Sequence, residues 1–153
     1  MKAHFLKQLQ FDYWANSQLI SSMQEIQDLP ERPAAVFSHI MAATHIWYSR
    51  LTDQVSPYAV WESFDQSNWQ DQLQLNYDLI KAYLERNSEG NFNQIVTYKT
   101  STGVSYNTSA IDILSHVFWH SGYHQGQIVM QLKPYVQLLP DLNYINFVRL
   151  NQV

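Results

Sequence analysis

The stretch SHVFWHSGYHQGQI, residues Ser115 to Ile128, carries histidines at positions 116, 120 and 124. A step of four residues along an α-helix turns the chain by about 40° more than a full revolution, so the three imidazoles lie along one slowly drifting stripe. Such a stripe either binds a ligand or packs against another element. Just before it, Ser109-Ala-Ile-Asp112 matches a capping box. We therefore predict a helix that opens there and runs to about Leu132.

Three further amphipathic helices are indicated by apolar residues that recur at three- and four-residue steps. The first covers about residues 2–27, and the second opens near Pro33 and runs to about Leu51. The third follows a second capping-box pattern, Ser67-Asn-Trp-Gln70, and ends within residues 87–90.

Two segments between these helices have a different character. The loop from Thr52 to Gln66 is long for a compact domain, and such loops often serve function. Residues 92–107 combine β-branched and aromatic residues with a Ser/Thr/Gly turn, which predicts a short β-hairpin that leans on the helices. The aromatic residues of the loop either line a pocket or a subunit contact, or are ordinary core and surface residues. They are Tyr58, Trp61 and Phe64.

Together these elements predict an all-α fold, a four-helix bundle with a short β-hairpin inserted before the last long helix. A chain of 153 residues fits one domain, so residues 1–153 are expected to form a single unit. The C-terminal tail, from Pro134 to Val153, holds a weaker strand or a short helix in LNYINFVRL.

Composition excludes several functional classes. The formal charge is −4 and the nine Lys and Arg residues are scattered, so we expect no nucleic-acid partner. The chain has no cysteine, so any thiol chemistry must use a thiol supplied by a substrate. The N-terminus lacks a signal-peptide pattern, and no run approaches the roughly 18 apolar residues that cross a bilayer. We therefore expect a cytoplasmic protein with no membrane partner.

Helical-wheel phase separates the histidines of the last long helix. His124 lies about 40° from the centre of the apolar face, His120 about 80° and His116 about 120°. The wheel therefore selects His120 and His124 as an inward pair and leaves His116 on the rim. Their i, i+4 spacing is that of the zincin motif, in which two histidines bind one metal ion. The Glu of that motif is absent from Ser121-Gly-Tyr123, which disfavours metalloprotease chemistry of that type.

A tight metal site needs at least one further ligand. On the second helix His39 lies about 90° from the apolar centre and His45 about 150°, so His39 is the better candidate. His45 is predicted to look outward, as is His4 near the N-terminus. A single histidine on an apolar edge is more often a hydrogen-bonded core residue than a ligand. The pair on one helix together with His39 on another favours a metal site.

Two features of the last long helix remain open at this point. Gln127 either hydrogen-bonds near the site or is an ordinary surface amide. Gly122 and Gly126 form a G-x-x-x-G on the far side of the wheel, where it would allow another helix to approach closely.

Three segments resemble motifs of the DinB-like proteins, also called the DinB/YfiT superfamily, and the likeness covers nearly the whole chain. They are FDYWANSQL at 11–19, SHIMAATHIWYSRL at 38–51 and HVFWHSGYHQGQI at 116–128. The last is similar to the family's His-x-x-x-His-Arg-Gly-Gln element. The resemblance implies a four-helix bundle, frequent homodimers and a divalent metal such as nickel or zinc held by His39, His120 and His124. This chain departs from the pattern at Gln125, which lacks the charge and fork of the usual Arg.

The resemblance also bounds the function. Three neutral imidazoles leave coordination positions open, and a metal held in this way lowers the pKa of a bound thiol or water. Characterised branches of the family include transferases and isomerases that use thiols such as bacillithiol or mycothiol. We therefore expect a metal-dependent S-transferase that joins a low-molecular-weight thiol to a small electrophile. The alternatives are a metal-dependent hydrolase, a non-catalytic metal-binding or stress-response homodimer, and a dimeric scaffold whose histidines are polar packing.

Overall fold

The computed structural model describes residues 1–150, and residues 151–153 at the end of the tail lie outside it. Residues 1–150 form five α-helices and one two-stranded antiparallel sheet. The prediction of a mostly helical fold with a hairpin before the last long helix is confirmed. The helices are α1 (Lys2–Gln24), α2 (Glu31–Leu51), α3 (Trp69–Arg86), α4 (Ala110–Leu132) and α5 (Tyr144–Leu150), and the strands are β1 (Ile95–Lys99) and β2 (Ser105–Ser109). The described part of the tail thus holds the short helix α5.

One of the two capping predictions is right. Ser109 caps α4 by accepting a hydrogen bond from the backbone N–H of Asp112, with an N···O distance of 3.2 Å. The box at Ser67–Gln70 is wrong. Ser67 instead donates its backbone N–H to the side chain of Asp65 at 2.8 Å, within a 3-10 turn that precedes α3. That acceptor lies two residues earlier in the chain than the predicted cap, so Ser67 opens a turn and not the helix.

The other helix ends differ from prediction by a few residues. α1 stops at Gln24, three residues before the predicted end, and α3 stops at Arg86, just before the predicted 87–90 segment. α2 begins at Glu31, so Pro33 lies inside the first turn. A proline is tolerated there because the N–H that it lacks would have no partner within the helix.

Buried apolar residues form two clusters that lie toward opposite ends of the long helices. One cluster joins Phe5 at the start of α1 with the ends of α2 and α3, at Leu51 and Leu84, and with Ile113 at the start of α4. The other cluster joins the opposite halves of the same four helices. α1 and α4 therefore run in one direction, and α2 and α3 run in the other. Because α2 and α3 are parallel, the loop between them must return along the length of a helix.

The hairpin covers the end of the helices where α3 finishes and α4 begins. Ile95 pairs with Ser109 and Lys99 pairs with Ser105, so the second strand extends two residues beyond the predicted segment. Gly103 lies in the connecting turn with a φ of 83°, a conformation that favours glycine. Tyr98 packs against the first apolar cluster, which anchors the hairpin to the helices as expected for a sheet of two strands.

Candidate metal centre

Three imidazoles meet where α2 packs against α4. His39 lies near the middle of α2, and His120 and His124 lie on successive turns of α4. Nε2 of His120 is 3.1 Å from Nε2 of His39 and 3.2 Å from Nε2 of His124. One ring nitrogen from each residue lies within 4.8 Å of the other two. The fold therefore brings together the three histidines that the helical wheels selected.

Hydrogen bonds at the outer ring nitrogens direct the inner lone pairs toward one another. Nδ1 of His39 lies 2.7 Å from the carbonyl oxygen of Val60, and it must donate because a carbonyl oxygen only accepts. Nδ1 of His124 lies 2.9 Å from Oε1 of Gln127 and donates to it. Each of these rings then carries its lone pair on Nε2, the arrangement that metal-binding histidines commonly show. Gln127 thus hydrogen-bonds at the site.

The spacing and chemistry of the nitrogens fit a divalent ion. Two nitrogens bound at about 2.0–2.1 Å are separated by about 3.3–3.4 Å in tetrahedral geometry and by about 2.9 Å at a right angle. The separations of 3.1 and 3.2 Å from His120 lie between these values. Imidazoles suit zinc, copper, iron and nickel. Within residues 1–150 no carboxylate joins the three rings, so further coordination positions would remain for a ligand from solution.

Burial favours the neutral form of the His39 and His120 imidazoles. Desolvation and, to a smaller extent, the neighbouring imidazoles together lower the pKa of His120 to about 3. Desolvation also lowers the pKa of His39, although the hydrogen bond to Val60 partly opposes this shift. A histidine must be neutral to bind a metal. His39 and His120 are therefore in the metal-binding form at neutral pH.

The long loop between α2 and α3 holds His39 in place. The indole ring of Trp61 stacks on the imidazole of His39, with 4.1 Å between ring centroids and 18° between ring planes. Val60 supplies the acceptor for Nδ1, and the backbone N–H of Phe64 donates to the hydroxyl of Ser38 at 3.3 Å. The sequence indicated that this loop had a role. It could not single out Trp61 from the other loop aromatics, because the contact depends on how the loop folds back.

The remaining histidines lie outside the cluster. His4 is exposed as predicted, and His116 is exposed on the rim, where its ring centroid lies 4.8 Å from that of Trp47. The outward orientation predicted for His45 is wrong. Its ring is partly buried and Nδ1 lies 3.3 Å from the side-chain oxygen of Asn76. Asn76 of α3 also donates to the backbone oxygen of Met41, so α3 contacts α2 through polar as well as apolar side chains, and burial on α2 is wider than its apolar stripe.

Gln125 takes part in a buried polar network between α1 and α4. Its side-chain N–H group donates to Oδ1 of Asp12 and to the hydroxyl of Ser121, each at 3.1 Å. Asn16, which is 1% exposed, donates to the backbone oxygen of Asp12 at 2.9 Å. Desolvation, partly opposed by hydrogen bonds from Ser121, Gln125 and Asn16, raises the pKa of Asp12 to about 6. The residue that departs from the DinB-like pattern therefore contacts a carboxyl group on α1.

An open cleft of about 880 Å³ lies next to the residues that hold His39, although none of the three imidazoles lines it. It lies between the last turns of α2, the loop after α2, and the hairpin. Val60 and Trp61 line the cleft, and both also contact His39. The volume falls within the range of about 300–1,000 Å³ that is typical of small-molecule sites.

Fold and site together define a mostly helical protein in which three histidines on two facing helices could hold a metal ion. The model of the DinB family matches residues 3–135, which is most of the chain, and the protein belongs to that family. The DinB-like resemblance is thus confirmed. No curated protein matches the sequence. Among residues 1–150 no helix has the length and apolar character needed to span a membrane.

Proposed function

We propose that this DinB-family protein is a divalent-metal-dependent enzyme of the S-transferase type, which joins a small thiol to an electrophile. His39, His120 and His124 are the proposed metal ligands, with nickel or zinc as the expected ion. The observation that carries the proposal is the convergence of three Nε2 atoms without a fourth protein ligand in residues 1–150. Val60 and Trp61, which contact His39, also line an open cleft that could admit a substrate. A closed site with four protein ligands is typical of structural metals, whereas an open one is typical of catalysis.

The reaction would form a thioether S–C bond and break two bonds, the S–H bond of the thiol and the bond from the electrophilic carbon to its leaving group. The thiol sulfur forms a bond to the electrophilic carbon, the leaving group departs with the electron pair of its bond, and the thiol proton passes to solvent. A divalent metal on three neutral imidazoles supplies Lewis acidity, which lowers the pKa of a bound thiol. Val60 and Gln127 orient the ligand rings, and Trp61 shields His39 from solvent. The chain has no cysteine, so the thiol is a second substrate.

The test is conjugation of monochlorobimane to a low-molecular-weight thiol, bacillithiol or cysteine, followed by mass spectrometry of the thioether. We expect the metal-loaded protein to accelerate conjugation, and we expect chelator-stripped protein and the His120→Ala variant to lose the acceleration. His4→Ala changes an exposed histidine outside the cluster and is the matched control. Metal-loaded protein that never exceeds the uncatalysed rate with either thiol would refute the S-transferase assignment.

The near alternative is a metal-dependent hydrolase, since the same Lewis acidity lowers the pKa of bound water. Hydrolysis of p-nitrophenyl acetate without any thiol, lost on chelation, would favour that reaction. Metal binding without either activity would favour the non-catalytic metal-binding or stress-response protein. In that case the bound metal would still raise the melting temperature by mass action.

The wider arrangement is also part of the proposal. We infer that residues 1–153 form one domain and that α1 to α4 form a four-helix bundle of the DinB type. The pairwise packing of α2 with α4 and of α1 with α3 and α4 supports this arrangement. We expect the protein in the cytoplasm, with neither nucleic acid nor membrane as a partner.

A homodimer through the outer face of α4 is the proposed assembly. Trp119, Tyr123 and Met130 on this face are 81%, 66% and 66% exposed, which is unusual for large apolar side chains. Gly122 and Gly126 lie among them, and within residues 1–150 no atom beyond their chain neighbours and the nearby backbone of α4 lies within 4 Å of where a Cβ would stand. The predicted close approach at the G-x-x-x-G is therefore not made by another helix within residues 1–150. A second copy would supply it.

Sedimentation velocity tests the homodimer. Trp119→Glu should convert a dimer to a monomer, because it would bury a charge at the centre of the interface. Leu75→Glu is the matched control, since Leu75 is an exposed apolar residue on α3. A monomeric wild-type protein, or equal dissociation by both variants, would contradict this interface.

A further inference from the structure

Arg50 occupies an unusual position in the wall of the cleft. It lies in the last turn of α2, where its guanidinium carbon is 4.2 Å from the ring centroid of Trp47 and 4.8 Å from that of Tyr98. Stacking of this kind uses the faces of the guanidinium plane and leaves the N–H groups at its edge. Those edge donors form a fork that matches the two oxygens of a carboxylate.

No carboxylate within residues 1–150 forms an ion pair with the guanidinium group of Arg50. The ion pairs formed within residues 1–150 join the N-terminus to Glu89 and Lys81 to Glu85, and neither includes Arg50. Arg50 is nevertheless partly buried, and desolvation lowers the pKa of its guanidinium, while Tyr98 partly opposes this shift. A half-buried cation without a counter-ion is costly, and an anion that binds beside it recovers part of that cost.

The charge of the cleft differs in sign from that of the whole chain. Two cations, Arg50 and Lys99, line the cleft together with one carboxylate, that of Asp53, whereas the chain carries a formal charge of −4. A cleft with low-dielectric walls focuses such a local positive potential, and that potential attracts anions. Aromatic side chains of the loop, Tyr58 and Trp61, line the same cleft and offer surfaces on which a ring can pack.

We propose that the cleft binds a small aromatic carboxylic acid, with its carboxylate on the edge of Arg50 and its ring against Trp61. The inference deepens the proposed function, on which it rests for the reaction, by assigning an acidic class of substrate to the same site. Trp61 connects the cleft to the metal centre, because it lines the cleft and its indole ring stacks on His39. Trp47 contacts both Arg50 and His116, and the ring centroid of His116 lies 5.4 Å from that of His120.

Phenylacetate and phenylacetamide are the test ligands, since they share a ring and differ in charge. Binding is measured by NMR titration of the arginine Nε–H and tryptophan indole N–H signals, in metal-free and in metal-loaded protein. We expect phenylacetate to bind more tightly than phenylacetamide and to shift the Arg50 signal. Arg50→Gln should weaken phenylacetate by about tenfold or more, the usual scale for loss of a charge-assisted hydrogen bond. Arg86→Gln is the matched control, because Arg86 also stacks on a tyrosine, Tyr83, but lies outside the cleft.

The outcomes separate this inference from the metal proposal. Equal binding of phenylacetate by wild type and Arg50→Gln overturns the inference, and so does failure of the wild type to bind phenylacetate at millimolar concentration. Binding that requires the metal and leaves the Arg50 signal unmoved would place the carboxylate on the metal, which overturns the inference but leaves the proposed function intact. Binding through Arg50 in protein that takes up no metal would support the inference and refute the metal proposal. An Arg50→Gln spectrum with native dispersion excludes misfolding as the cause of weaker binding.

Discussion

Asp12 imposes an ionisation cost on the folded state that a single substitution should remove. Its carboxyl group lies between α1 and α4, where burial raises the pKa from 3.8 to about 6 despite hydrogen bonds from Ser121, Gln125 and Asn16. No ion pair within residues 1–150 compensates the charge. The folded protein therefore holds the Asp12 proton more tightly than the unfolded chain does.

The magnitude follows from this difference in proton affinity. Because the folded pKa is the higher one, ionisation of Asp12 lowers the free energy of unfolding as the pH rises from 3.8 to about 6, and the full loss is present above that range. Each tenfold difference in affinity corresponds to about 1.4 kcal/mol, so the loss is about 3 kcal/mol. Asp12→Asn removes the charge and keeps an oxygen that can accept from Gln125. We expect the variant to be more stable than wild type by up to about 3 kcal/mol near pH 8.

Urea unfolding followed by circular dichroism measures this effect. Both proteins are treated with chelator and unfolded at about pH 5, 6, 7 and 8, and the difference in unfolding free energy is plotted against pH. The histidines titrate in both proteins, so their contribution cancels in the difference. The gain should grow from about pH 5 to pH 7 and then level off. A variant that is less stable than wild type throughout, or a gain that does not depend on pH, would refute the reasoning.

Three further predictions concern the site and its supporting helix. Gln127→Ala removes the acceptor for His124 Nδ1 and should weaken metal binding by about tenfold to a hundredfold in a competition titration. Gln127→Glu keeps an acceptor and should leave the affinity for the metal unchanged. Equal weakening by both variants would contradict the role of Gln127 in orienting His124. His45→Ala should leave metal content unchanged, because His45 bonds to Asn76 outside the cluster, and loss of metal from this variant would contradict the assignment. Ser109→Ala removes the cap of α4 and should lower the free energy of unfolding by about 1 kcal/mol in urea denaturation, and an unchanged value would show that the cap is dispensable.

Local periodicity predicted the parts of this fold that depend on a single helix face. The stripe at His120 and His124 could be oriented from the sequence because the apolar residues of α4 face one buried side. Helical-wheel phase misplaced His45, because α3 also packs against α2 and its Asn76 hydrogen-bonds to the imidazole. A helical wheel that assumes one buried face cannot predict that a second helix, α3, also contacts α2.

Short-range polar patterns were informative only where no competing acceptor lay nearby. The capping box at Ser109 forms, whereas Ser67, which has the same pattern, bonds to Asp65 two residues earlier. The serine hydroxyl and the aspartate carboxylate are both good acceptors for a backbone N–H, so the sequence alone did not decide between a helix cap and a turn at Ser67.

The contacts that complete the site come from residues distant in sequence, and these could not be predicted. The parallel arrangement of α2 and α3 carries their connecting loop past His39, where Val60 and Trp61 make their contacts. Arg50 on α2 meets Tyr98 only because the hairpin folds onto the end of that helix. A cleft built from three separate segments leaves no periodic pattern in the sequence.

Metal content measured by plasma mass spectrometry on protein without a polyhistidine tag tests the central claim most directly. Wild type and the three variants His39→Ala, His120→Ala and His124→Ala are compared after exposure to nickel or zinc and removal of loosely bound ions. We expect near-stoichiometric divalent metal in the wild type and its loss in all three variants. Wild-type protein that holds no metal after this treatment, or variants that hold as much as wild type, would contradict it.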